Sequence, residues 1–103
     1  MMDKRILSSL GLCSKAGKLI FGVPMIIEAM QKGKKTYLVL EAGDTSDNTH
    51  KKITDKCSFY GVEKIRLDFD GIQIAEAVGK SSSLAAIAIT DESFYKMIKK
   101  YFD

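Results

Sequence analysis

A chain of 103 residues with 46% hydrophobic and 28% charged residues, one proline and no tryptophan has material for one compact domain and one core, which excludes a large multidomain enzyme. No apolar run approaches the roughly 20 residues of a membrane span, and MMDKRILSSLGLCSKAG lacks the apolar stretch and cleavage site of a secretory signal, so a cytoplasmic protein without membrane contact is expected. The net charge of +3 is unevenly spread: residues 1–35 carry seven Lys/Arg against two acids, residues 36–70 five against seven, and the last third four against four. A positive first third suits a polyanionic partner such as RNA, and equally an ordinary lysine-rich solvated surface.

In chain order, Ile6, Leu10 and Cys13 recur at helical spacing, with Leu7 beside them, and predict a first helix over 3–15 stopped by Gly17. KLIFG, 18–22, reads as a short strand. Pro24 suits a first helical position, and Ile26, Ala29 and Met30 give the second helix its apolar stripe before Gly33 ends it. TYLVLEA, 36–42, is a nearly continuous apolar run, the pattern of a strand covered on both faces. After the loop GDTSDNT, Ile53, Cys57 and Tyr60 mark a third helix over 48–60, ended by Gly61. KIRLDF, 64–69, alternates as a half-exposed strand. Asp70 and Gln73 form a capping box for a fourth helix containing Ile74, Ala77 and Val78, with Gly79 as its stop. LAAIAI, 84–89, is a second buried strand, and Thr90 is expected to cap a fifth helix with Phe94, Met97, Ile98 and Tyr101 on one face. Alternating helices and strands with short connections imply a single domain, 1–103, folded as a three-layer α/β/α sandwich around a four-stranded mixed sheet, with the two apolar strands central.

No nucleophile elbow, phosphate-cradling glycine loop or paired catalytic carboxylates occur, so no catalytic residues are assigned. The single histidine, His50, beside Lys51 and Lys52, reads as part of a solvated helix surface rather than a general base. Cys13 and Cys57 have no partner at zinc-ligand spacing and fall on apolar stripes, so both are expected to be reduced core residues, with no metal site and no cofactor. Asp44, Asp47 and Asp55, around Asn48 and Thr49, read as capping and dipole-complementing acids.

The stretch AGKLIFGVPMIIEAMQKGKKTYLVLEAGDTSDNTHKKITDKC is more specific. With its AGKL, its strand-end glycine, the Gly-Lys before the central strand, the Asp-x-Ser-x-Asn-Thr loop, Lys-Lys and Asp-Lys-Cys, it resembles the kink-turn-binding ribosomal proteins of L-seven-Ae type, and in particular a small stand-alone bacterial branch. Ala77-Val78-Gly79-Lys80 and Ala88-Ile89-Thr90-Asp91 extend the resemblance over essentially the whole chain.

The resemblance implies an α/β/α sandwich that binds kink-turn RNA without a cofactor. The start of the second helix would offer backbone N–H groups to phosphates, and the loop after the fourth helix would pack on a flipped-out nucleotide. Carried onto this chain, these surfaces are Gly22, Val23, Pro24, Met25 and Glu28, then Lys80, Ser81, Ser82 and Ser83, with Lys15 and Lys18 as further phosphate attractors. The family pattern has a glycine, a polar residue one position beyond the next, then glutamate or glutamine, and later a lysine. Here Gly22 is kept, while Pro24, Met25 and Glu28 replace the other three. At about 1 to 3 kcal/mol per base contact, two lost contacts remove roughly 2 to 6 kcal/mol from a specific advantage of about 4 to 10. The three serines suit phosphate or sugar but offer little to stack on.

The leading expectation is therefore a non-enzymatic, monomeric module that recognises structured RNA, ribosomal RNA included, alone or on a ribosome or other ribonucleoprotein. The alternative is a protein-interaction module of a ribonucleoprotein or transcription-translation complex, in which exposed Met25 and Ile26 would form an apolar contact.

Overall fold

A computed structural model describes residues 2–103. The elements are α1 (Arg5–Lys15), β1 (Leu19–Phe21), α2 (Val23–Gln31), β2 (Leu38–Glu41), α3 (Asp47–Tyr60), β3 (Lys64–Arg66), α4 (Gly71–Val78), β4 (Ala86–Ile89) and α5 (Glu92–Lys99). The strands lie in the order β1-β4-β2-β3. β4 runs antiparallel to both β1 and β2, while β2 and β3 are parallel, so the sheet is mixed.

The two apolar strands occupy the centre, as their composition requires: every residue of β2 and β4 is buried. Their side chains alternate between two cores. Leu38, Leu40, Ile87 and Ile89 pack with Ile6, Leu10 and Cys13 of α1, Ile74 and Val78 of α4, and Ile98 of α5. Val39, Ala86 and Ala88 pack with Val23, Ile26, Ile27 and Met30 of α2 and with Ile53 and Cys57 of α3. Helices thus cover both faces, and both cysteines are buried and reduced.

The strands are shorter than the apolar runs suggest. Beyond Arg66 the chain leaves regular pairing, yet Leu67 and Phe69 stay buried, because Leu67 N–H donates to Glu41 O at 2.8 Å and Gly43 N–H to Phe69 O at 2.8 Å. The caps also shift. Asp91, not Thr90, caps α5 by accepting from Phe94 N–H at 3.0 Å. Ser46, not an aspartate, caps α3; Asp47 lies in its first turn, and Asp44 instead accepts from Gly71 N–H at 2.9 Å, at the start of α4. The capping box of Asp70 and Gln73 forms as expected.

Candidate nucleic-acid interface

The junction between β1 and α2 turns on Gly22, whose φ of 86° and ψ of 148° lie in a region that is essentially glycine-only. Gly22 N–H donates to Ala86 O at 2.9 Å, anchoring the turn to the start of β4, and its own carbonyl accepts from Ile26 N–H. The helices α3, α4 and α5 are each capped by a side chain at the N-cap; α1 and α2 are not, and α2 carries Pro24 in its first turn. Its first-turn N–H groups and the positive end of its dipole therefore remain available to an anion.

The loop after α4 reaches this junction. Its start is fixed by a Schellman closure in which Gly79 N–H donates to Glu76 O and Lys80 N–H to Ala75 O at 2.8 Å. Its end is fixed by Leu84 N–H donating to Gly71 O at 3.1 Å. The approach is so close that a Cβ on Gly71 would fall 2.2 Å from Ser83 Oγ and 2.8 Å from Leu84 O, which makes glycine obligatory there. Between these anchors the Lys80 ammonium sits 4.4 Å from the centroid of the Phe21 ring, one residue before Gly22. The two surfaces expected from the sequence thus form one surface: the uncapped start of α2 beside Lys80, with exposed Ser81, Ser82 and Ser83 following.

The remaining expected residues divide. Lys15 is exposed in the last turn of α1, next to Ser14, whose hydroxyl donates to Val78 O at 2.8 Å; it belongs to the same end of the molecule as Gly79 and Lys80. Lys18 is exposed at the opposite end of β1, about 13 Å from Gly22 at the rise of an extended strand, and is not brought to the junction. The Val23 side chain turns inward into the α2/α3 core, leaving only its backbone for a ligand. Pro24 and Met25 are exposed. Glu28 is exposed but bonded to Lys32 at 2.8 Å, and that ammonium holds its carboxyl below the usual range, so its charge is partly answered within α2. Ile26 is fully buried, which removes half of the apolar contact on which a protein-docking surface was expected to rest; Met25, 54% exposed, remains alone.

Three features escaped the sequence reading. Phe21, as the platform for Lys80, and Gly71, as the seat of the loop, carry no sequence motif. The third had one: Glu41 is the only acid in an otherwise apolar strand. It is fully buried, accepting from His50 Nδ1 at 2.6 Å and Lys64 Nζ at 2.5 Å, with Arg66 Nε at 3.8 Å. His50 is therefore not merely a solvated helix residue. Burial pushes the Glu41 carboxyl up, but the bonds from Lys64 and His50 outweigh it and leave the pKa lowered. This cluster ties β2, β3 and the first turns of α3 together. No group of three or more potential metal-ligating side chains comes together among the described residues, and no helix there is long and apolar enough to cross a membrane.

Residues 4–99 match the ribosomal protein L7Ae/L30e/S12e/Gadd45 family. The chain is 31% identical over 94 residues to the RNA-binding protein YlxQ of Bacillus subtilis, covering 91% of each chain. It is 33% identical over 100 residues to the protein of the same name from Enterococcus faecium, covering 97% of this chain and 93% of the relative. A protein of unknown function from Bacillus halodurans superposes with a TM-score of 0.85 at 28% identity, covering 98% of this chain and 99% of the other. The 15.5 kDa RNA-binding protein of Giardia lamblia shares the fold, with a TM-score of 0.75 at 14% identity over 96% of this chain and 86% of the other. By its matched length and by its relatives, the chain belongs to the L7Ae/L30e/S12e/Gadd45 family of ribosomal proteins.

Proposed function

We propose that the protein is a non-enzymatic RNA-binding module that holds a kinked, structured RNA on the surface made by the start of α2 and the loop after α4. The observation that carries this reading is the seating of Lys80 over Phe21, which sets an unpaired ammonium beside an uncapped helix start. Each attracts phosphate; together they fix where a backbone turns. The names of the two curated relatives, both RNA-binding proteins, support the same partner class. With Pro24 and Met25 in place of base-reading polar residues, recognition rests on phosphate geometry and RNA shape more than on base edges. In this reading the protein acts as a cytoplasmic monomer, alone or on a ribosome or other ribonucleoprotein, and needs no cofactor.

The test is equilibrium binding to a fluorescent kink-turn RNA and to a matched duplex whose tandem G·A pairs are replaced, at two salt concentrations. The expected result is a preference of about tenfold or more for the kink-turn that persists at higher salt, and a loss of about tenfold with Lys80→Glu. Equal, salt-sensitive binding to both RNAs removes kink-turn recognition. Binding unaffected by Lys80→Glu removes this surface.

A further inference from the structure

The opposite end of α2 carries a second group of features that the proposed kink-turn surface does not use. Gln31, the last residue of α2, lies about 14 Å along the helix from Gly22, and the chain then runs through Lys32, Gly33, Lys34 and Lys35 into β2. There a groove of about 330 Å³ opens between this segment and the end of α3, lined by Met30, Gly33, Lys34, Lys35, Tyr60 and Gly61. Its α3 side is lined by Tyr60, 36% exposed, and just outside it the preceding residue, Phe59, is 79% exposed, the most exposed large apolar side chain among the described residues. Their rings meet edge to face with centroids 4.9 Å apart, so each braces the other.

Packing within the chain does not account for Phe59. The buried stripe of α3 runs through Ile53 and Cys57, and Phe59, two residues on, is turned about 200° from Cys57 toward solvent. The charge around it is one-sided. Lys34 and Lys35, and on α3 Lys52 and Lys56, have no carboxylate within salt-bridge distance among the described residues, and the Lys35 ammonium lies 5.2 Å from the Tyr37 ring centroid. The neighbouring acids are already answered: Asp55 pairs with Lys51 at 3.2 Å, Glu28 with Lys32 at 2.8 Å, and Glu63 with Lys99 at 2.9 Å while also accepting from the Tyr95 hydroxyl. A surface that joins unanswered ammonium groups to an open, braced aromatic ring fits a ligand that is at once anionic and planar.

We propose that this end of the molecule is a second nucleic-acid site, where an unpaired nucleotide stacks on Phe59 while its flanking phosphates lie along Lys34 and Lys35. It is a site for single-stranded RNA, separate from the surface at Gly22 and Lys80 and independent of kink-turn recognition.

The test titrates the whole protein against a fluorescent oligouridylate decamer and an abasic decamer with the same backbone, comparing wild type with Phe59→Ala, Lys34→Glu/Lys35→Glu and Lys80→Glu. Phe59 and both lysines are exposed, so these variants retain the fold, which circular dichroism checks. Phe59→Ala is expected to weaken oligouridylate binding about tenfold and leave the abasic decamer unchanged, the double lysine variant to weaken both, and Lys80→Glu to alter neither. Three results each overturn the site: oligouridylate binding unaffected by Phe59→Ala, equal binding of both decamers to wild type, or loss through Lys80→Glu alone. The kink-turn assay reads the other surface, so either site can fail while the other stands.

Discussion

On one side of the sheet β2 and β4 present Leu38, Leu40, Ile87 and Ile89 to three helices; on the other the same strands present Val39, Glu41, Ala86 and Ala88 to two. Branched side chains thicken the first core and alanines thin the second. The thin side lets α2 begin directly against the strand ends, where Gly22 bonds Ala86, and it admits a buried carboxylate that ties β2 to β3 and α3. Apolar volume is concentrated on one face; the proposed single-strand site lies on the other, at the ends of α2 and α3, while the surface at Gly22 and Lys80 straddles the end of the sheet, with Phe21 packed on the thick core and Val23 on the thin one. The two faces thus differ in packing volume, and the surface at Gly22 and Lys80 draws on both.

The sharpest way to test this contrast is to cut into the thick side away from the surface at Gly22 and Lys80. Ile98→Ala empties a fully buried position of α5 there and is expected to cost about 2 to 5 kcal/mol in chemical denaturation, while RNA affinity of the folded fraction is unchanged. A comparable loss of affinity would show that packing volume in the thick core and the shape of the RNA surfaces are coupled.

On the thin side, Glu41→Gln removes the charge that Lys64 and His50 answer, and is expected to cost about 1 to 3 kcal/mol at pH 7. The pH dependence has a definite sign. The carboxyl pKa is lower in the folded state, so its contribution is present above the ordinary glutamate pKa of about 4.3 and is lost as pH falls through the folded value. Asp3, Glu28 and Glu63 are shifted the same way, so the informative quantity is the difference between wild type and variant, which should shrink on acidification below about pH 4.5. A difference that is flat or grows with acid would contradict the cluster.

The smallest expected effect is at the recognition turn itself. Gly22→Ala forces a side chain into a positive-φ conformation and should cost about 1 kcal/mol of stability, with a larger fractional loss in kink-turn affinity because the first turn of α2 shifts. If stability falls and affinity does not, the start of α2 is not where RNA is held.

The alternation of elements, the central place of 36–42 and 84–89, and the capping box at Asp70 were all readable from local pattern, because period and turn chemistry are properties of neighbouring residues. What pattern could not supply was contact across sequence distance. The pairing of Glu41 with Lys64 and of Phe21 with Lys80 depends on which strands become neighbours, and Gly71 is explained only by a loop more than ten residues away. The same limit put Lys18 in the site: near Gly22 in sequence, it stands at the far end of an extended strand. Ile26 lies in the core, as its spacing with Ala29 and Met30 predicts, so only its role in the alternative apolar contact fails; Val23 also turns its side chain inward and keeps its backbone at the helix start.

The two cysteines occupy opposite faces of this divided sheet, Cys13 in α1 on the thick side and Cys57 in α3 on the thin side. Burial pushes each thiol up to about 11, so at pH 8 only about one in a thousand is thiolate, and each is shielded from reagents as well. An alkylating agent therefore finds each thiol only when the layer above it lifts. The rates at Cys13 and Cys57 are two clocks in one molecule, timing separately how often the thick side and the thin side breathe.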